Sequence, residues 1–339
     1  MNFGLKVKYC IADFFEYTGL LRYLLGRLPG DSFFILMYHR VLDEVPAECQ
    51  IQSGMYVSPK TLDKHIAYLK QCFSITALST LSSLPLDRHK NSKPLCALSF
   101  DDGWHDFYTN AFPVLKKHGV PATVFLPTSY IGTKSWFWAD QLASLYIKGD
   151  LEISFKNDLK GAGRLTHLIN AEKNAENFEQ IVRYLKTAGE ETVKRLIGRS
   201  LDKNGSLGSD FNKPAFLSWA QVREMQRSGL VSFGSHTAGH RILTLLSRDE
   251  ASRELIESRD VLLSREVVEP GFIPFCYPNG NYDDALAELV ANHGYQLAVT
   301  TERGRNTGRE NKYKLKRLGM HEDMSASSSM LGCRLLQFF

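Results

Sequence analysis

Short apolar runs separated by amphipathic stretches recur along this chain, and that rhythm constrains the fold more than any other feature. The runs fall at residues 33–38, 96–100, 122–126, 231–234, 272–277 and 296–300, with a more polar one at 316–320. Strands buried on both faces read this way, as continuous apolar segments rather than alternating ones. The stretches between them carry helix signals. Ser58-Pro59 sets an N-cap before a first-turn proline and opens a helix that runs through Leu69. A second helix starts near Asp106 and stops at Gly119. Ser218 and Ser247 are followed three residues on by Gln221 and Glu250, the capping-box pattern, and Gly229 ends the first of these two helices. A further helix over 282–293 ends at Gly294. Strand–helix units repeated about seven times predict an α/β fold, a distorted (β/α) barrel of parallel strands.

Two segments break the rhythm. Residues 140–212 are charged, helical in pattern and rich in Lys, Glu, Asn and Gly; they read as a helical insertion, with 202–212 as a mobile loop. Residues 1–30 read as an amphipathic N-terminal segment ahead of the barrel domain, 31–339. Within 9–28 the apolar set Ile11, Phe14, Phe15, Leu20, Leu21, Leu24, Leu25 and Leu28 suits an amphipathic helix. Asp13, Glu16, Arg22 and Arg27 make it too polar to span a bilayer. It either packs on the domain or lies against a membrane surface or a partner.

The 339 residues are 43% hydrophobic and 23% charged, an ordinary globular balance. A net charge of +4 without an aromatic-interleaved basic patch argues against nucleic acid as a partner. The six cysteines show neither paired nor zinc-like spacing and read as reduced thiols. With no signal-peptide pattern at the N-terminus, the expected location is cytoplasmic, at most peripheral to the inner membrane surface.

The chemistry concentrates where apolar runs end. Asp101-Asp102-Gly103 closes one run, and His236 and His240 follow another. Side chains alternate along a strand, so adjacent carboxylates point in different directions and can take separate tasks. One carboxylate with two imidazoles suits a catalytic divalent metal that keeps a position open for water. The other carboxylate is then free to accept a proton. Acidic turns and paired histidines are each common. Their joint appearance at strand C-termini, where barrels build active sites, gives them weight.

These residues carry a resemblance to the polysaccharide deacetylases of carbohydrate esterase family four, which share the nodulation-factor deacetylase homology domain. Ser-Phe-Asp-Asp-Gly (99–103), Ser-His-Thr-Ala-Gly-His (235–240) and Phe-Cys-Tyr-Pro-Asn-Gly (275–280) resemble the family's first, second and third motifs. Leu-Met-Tyr-His-Arg-Val (36–41) and Phe-Trp-Ala-Asp (137–140) resemble features of a subgroup linked to bacterial surface polysaccharides. The resemblance covers residues 34–320, with the insertion matched less well. It implies Asp101 as general base and Asp102, His236 and His240 as metal ligands. It also implies an oxyanion donor in the backbone N–H after Pro278, at Asn279, and a general acid near the C-terminus, for which His321 is the candidate. Zinc is the expected ion; cobalt and nickel suit the same donors.

Around that centre, Tyr277, Pro278 and Asn279 are expected to line the substrate site. His39 either lines the cleft or serves as a structural hydrogen-bonding residue. Trp138 and Asp140 either bind a sugar ring or anchor the insertion. Two departures stand out: Phe275 holds the place of an arginine that orients the base, leaving Arg40 or Arg317 to substitute, and Asn279 replaces a frequent aromatic. The leading reading is a metal-dependent hydrolase that removes the N-acetyl group from an amino sugar in a surface polysaccharide or its precursor. Its rivals are a deformylase or deacetylase of a lipid-linked sugar, and a weakly catalytic glycan-binding protein of the same fold.

Overall fold

A computed structural model describes residues 3–52, 54–82, 93–151, 162–204, 207, 209–269 and 271–339. Seven parallel strands make the barrel: β1 (Phe33–Tyr38), β2 (Leu95–Phe100), β3 (Ala122–Leu126), β4 (Val231–Ser235), β5 (Pro274–Cys276), β6 (Leu297–Arg303) and β7 (Leu315–Gly319). They neighbour one another in chain order, and β1 pairs with both β2 and β7, which closes the ring. The barrel expected from the strand–helix rhythm is therefore the observed one. The two-residue strand Ser74–Ile75 pairs with Leu95 and Cys96 at the start of β2.

β2 and β3 are buried at every position, which is why their sequences show no polar alternation. The barrel is filled by Phe33, Ile35, Ala97, Phe125, Cys276 and Val299. Close packing sets one residue absolutely: a Cβ on Gly234 would stand 2.6 Å from the Pro274 carbonyl oxygen and 2.8 Å from the Phe125 ring. The helix starts form as their sequences dictate. Ser58 accepts from the Thr61 N–H, and the capping boxes Ser218/Gln221 and Ser247/Glu250 are both complete. The segment that opens near Asp106 begins with a π-helical turn, Phe107–Ala111, and becomes α-helical over Phe112–His118.

The chain divides into two compact units, one of residues 1–43, 56–133 and 216–339, the other of residues 44–55 and 134–215. In the first, the N-terminal segment forms two helices, Phe3–Tyr17 and Leu20–Gly26, rather than one. Gly19, in left-handed conformation at φ 74°, separates them. Ala12 and Leu21 bury against Met330 and Cys333 of the helix Ser328–Leu335. The second unit is helical, with Trp138–Lys148, Ala162–Asn170, Ala175–Ala188 and Glu190–Asn204 packed around Leu142, Tyr146, Phe178, Ile181 and Leu196. Ile51 packs on the same core, so the short segment 44–55, which carries no such signal in sequence, belongs here. Where a mobile loop was expected at 202–212, a helix reaches Asn204 and a 3-10 turn occupies Ser209–Asn212; residues 205, 206 and 208 lie outside the described residues. Among the described residues no helix is long and apolar enough to cross a membrane.

Candidate active site

The strand ladders run past the ends of β2 and β4 and fix the backbone of both motifs. Asp101 donates its N–H to the Tyr38 carbonyl at 2.9 Å, and His236 donates to the Leu126 carbonyl at 2.9 Å. The chain then turns sharply. Asp102, Thr237, His240 and Asn279 all adopt left-handed conformations, with φ of 74°, 63°, 57° and 58°. Non-glycine residues there cost on the order of 1–3 kcal/mol each and persist where surrounding structure enforces them. Here Thr128 and Ser129 donate to the Thr237 and Ala238 carbonyls, and Glu254 accepts the Gly239 N–H at 2.7 Å. The divergence of the two carboxylates thus comes from the left-handed turn at Asp102 as well as from strand alternation.

Asp102 turns toward the histidines. Its Oδ1 stands 3.4 Å from His236 Nε2 and 3.2 Å from His240 Nε2, while Oδ2 accepts from the Trp104 indole at 3.0 Å. His236 Nδ1 donates to the Cys276 carbonyl at 2.8 Å, which orients the ring so that Nε2 faces Asp102. Burial pushes the Asp102 carboxyl up, but the hydrogen bonds to the two imidazoles outweigh it and hold the group well below the usual carboxylate range. The three ligand atoms lie within 4.8 Å of one another. One carboxylate oxygen and two imidazole nitrogens converging on a buried point form a donor set that fits a divalent metal.

Asp101 turns the other way, into the barrel. Arg317, on β7 and fully buried, grips it with both terminal nitrogens: Nη1 to Oδ1 at 2.7 Å and Nη2 to Oδ2 at 2.8 Å. Arg317 also donates through Nε to the Thr300 carbonyl at 2.7 Å and through Nη1 to Ser99 Oγ at 3.2 Å. Burial raises the Asp101 carboxyl, and the guanidinium more than reverses this, so the group is ionised in an apolar interior. Arg40, the other candidate for this task, instead pairs with Asp106 at 2.9 Å and lies over the Trp104 ring. The position on β5 that faces Asp101 is also not Phe275, whose ring packs against Tyr277 and Tyr295. It is Cys276, with Sγ 3.5 Å from Asp101 Oδ2 and 3.2 Å from Arg317 Nη2. Alternation puts neighbouring residues on opposite sides of the strand, so the place expected at Phe275 falls one residue later, at Cys276.

The remaining expected residues divide. His39 Nε2 is 3.9 Å from Asp101 Oδ2 and partly exposed. His321 follows β7, with Nδ1 3.7 Å from Asp323 and Nε2 3.5 Å from Arg334 Nη2. Burial, reinforced by Arg334, lowers its pKa. Pro278 is buried, and Asn279 occupies the left-handed turn of a 3-10 segment, Pro278–Gly280. The Tyr277 side chain is fully buried and donates its hydroxyl to the Tyr313 carbonyl, so it supports the turn rather than presenting a surface to a ligand. Trp138 and Asp140 lie in the second unit. Trp138 packs on its helical core, and Asp140, buried, accepts from Gln52 at 3.1 Å, so these contacts anchor that unit. Trp104 and Glu254 were not singled out from sequence. Neither residue type marks a ligand clamp until the fold brings it to one.

A barrel with a metal-ligand set and an ionised carboxylate side by side at its strand ends supports hydrolysis by an activated water. The chain belongs to the polysaccharide deacetylase family, whose sequence profile matches residues 88–156 and 168–298, and its chemistry is hydrolytic deacetylation. A relative from Bacillus subtilis (strain 168), YxkH, provisionally described as a polysaccharide deacetylase, is 24% identical over 297 residues, covering 87% of this chain and 73% of its own. The poly-β-1,6-N-acetyl-D-glucosamine N-deacetylase of Staphylococcus aureus (strain MSSA476) is 31% identical over 104 residues, 30% of this chain and 32% of that one. The chain therefore aligns with about a third of the latter protein's length. Among solved structures, the Streptococcus pyogenes deacetylase PplD in complex with acetate superposes with a TM-score of 0.57 at 21% identity, covering 90% of this chain and 97% of that one. IcaB from Ammonifex degensii gives 0.55 at 17% identity, covering 90% and 98%. These two share the fold.

Proposed function

We propose that the protein removes the N-acetyl group from an amino sugar of a bacterial surface polysaccharide or its precursor, using a divalent metal. The observation that carries this is the pairing of Asp101 with Arg317 beside the converging Asp102, His236 and His240 donors. The Staphylococcus aureus relative, by its name an N-deacetylase of poly-β-1,6-N-acetyl-D-glucosamine, supports the substrate class.

Asp102 Oδ1, His236 Nε2 and His240 Nε2 would hold the ion, with zinc the leading choice and cobalt or nickel suited to the same donors. When bound, such an ion supplies Lewis acidity and lowers the pKa of water. Asp101, kept ionised by Arg317, accepts the proton of the water that attacks the acetamide carbonyl. The Asn279 backbone N–H donates to the oxygen on which negative charge develops. His321 delivers a proton to the departing amine, and its lowered pKa makes it a ready donor once charged. His39, beside the base, lines the acetyl side of the site. A lipid-linked amino sugar is the second reading, favoured by the exposed apolar residues of the helix Phe3–Tyr17.

Acetate release from N-acetylglucosamine oligomers with added zinc tests the proposal. Wild type should turn over, and Asp101→Asn should lose about 10²–10⁴-fold in rate. Equal rates for the two proteins would remove Asp101 from the role of base.

A further inference from the structure

The helix Phe3–Tyr17 is apolar on two sides. Its inner side carries Leu5, Tyr9 and Ala12 onto the cluster formed by Leu21, Met330 and Cys333. Its outer side presents Val7, Ile11, Phe14 and Tyr17, which are 42%, 40%, 61% and 91% exposed. At about 3.6 residues per turn these positions, spaced four, three and three apart, make one stripe along the helix. Tyr23 on the next helix and Phe338 at the chain's end are exposed as well. The Phe338 ring lies 5.8 Å from Phe15, which lies 6.2 Å from Phe14, so the surface is continuous. Among the described residues, only Leu245, Ile256 and Leu263 are large apolar side chains exposed elsewhere.

The rim of this surface is cationic. Lys6 and Lys8 flank Val7 in sequence and so emerge on opposite edges of the stripe, about 100° to either side. Arg22 and Arg27 follow on the second helix. On the same helix Asp13 accepts from Ser329 at 2.5 Å and Glu16 accepts from Tyr68 and pairs with Arg22, so both acids are drawn to other elements of the domain and Lys6, Lys8 and Arg27 carry the cationic character of the rim. Lysine stems can lie along an apolar stripe while their ammonium groups reach anionic headgroups, and tyrosines favour the same interfacial depth. A second copy of the chain fits poorly, because apposing two such faces sets cationic rim against cationic rim.

We propose that this face docks on an anionic lipid surface, with Ile11 and Phe14 entering the acyl boundary and Lys6 and Lys8 meeting phosphate headgroups. The docking stands apart from the deacetylation chemistry and is tested without it. Full-length protein is sedimented with phosphatidylcholine vesicles and with vesicles that also contain phosphatidylglycerol, at low and high salt. Wild type should pellet with the anionic vesicles, less so at high salt. Phe14→Ser should lower partitioning about tenfold, and Lys8→Gln about fivefold. Both should keep the wild-type melting curve and rate of acetate release from soluble oligomers. Failure of folded wild type to bind anionic vesicles, or undiminished binding by Phe14→Ser, overturns the proposal. So does a wild-type dimer in sedimentation velocity that Phe14→Ser converts to monomer, since the face would then be a protein interface.

Discussion

Replacing Arg317 with methionine should damage both stability and rate, by separate routes. Methionine keeps much of the volume and removes every donor. Asp101 then loses two charge-assisted hydrogen bonds, of 2.7 and 2.8 Å, while remaining fully enclosed. Breaking one side of a buried ion pair costs about 3–5 kcal/mol, a large share of a typical total of roughly 5–15 kcal/mol. At about 2–4 °C per kcal/mol, melting should fall by on the order of 10 °C. With the guanidinium gone, burial pushes the Asp101 carboxyl up, opposed only by the His39 and His236 imidazoles, so its charged form is disfavoured. The rate of acetate release should drop by about 10²–10⁴-fold and recover in part as pH rises, because the base ionises again. Arg317→Lys keeps a charge but cannot grip both oxygens, and should fall between the two. A swap is more searching still. Cys276 Sγ already lies 3.5 Å from Asp101 Oδ2, so Cys276→Arg in an Arg317→Ala background should restore part of the lost rate. Wild-type melting temperature and a wild-type pH–rate profile in Arg317→Met would refute the reasoning.

Two further outcomes are expected. His236→Ala and His240→Ala should each bind substoichiometric metal by elemental analysis while retaining the fold, and chelation of wild type should abolish turnover that zinc, cobalt or nickel restores; full metal occupancy in either variant would remove that histidine from the ligand set. Buried His65, between the Tyr38 hydroxyl and the Ser325 carbonyl, is held neutral by burial, with a pKa of about 4 against an ordinary 6.5. The unfolded chain binds this proton first as pH falls, so stability is lost between about pH 6.5 and 4, by roughly 3 kcal/mol in full. His65→Gln should flatten that slope in urea titrations, and an unchanged slope would assign it elsewhere.

The barrel was legible because strands buried on both faces advertise themselves as apolar runs, and because Ser58, Ser218 and Ser247 mark helix starts through local hydrogen bonds. The end of β2 and the paired histidines after β4 were legible only together: each is common alone, and their joint appearance at strand C-termini is what pointed to a site. What stayed hidden depends on contacts between distant parts of the chain. Lys316-Arg317 reads as a polar interruption of a strand, yet Arg317 meets a carboxylate 216 positions earlier. Choosing it over Arg40 required the register of β7. Phase also mattered, since Phe275 and Cys276 differ by one residue and face opposite ways. The left-handed turns at Asp102, His240 and Asn279 were not read from sequence, because these residue types tolerate that conformation without requiring it and the surrounding hydrogen bonds decide.

Arg317 stands on β7, the last of the seven barrel strands in chain order and the one that seals the ring against β1. Until it inserts, Asp101 has no guanidinium and no reason to stay charged in an apolar interior. Closure of the barrel and the pairing of Asp101 are thus a single event: the contact that completes the ring is also the one that delivers the guanidinium.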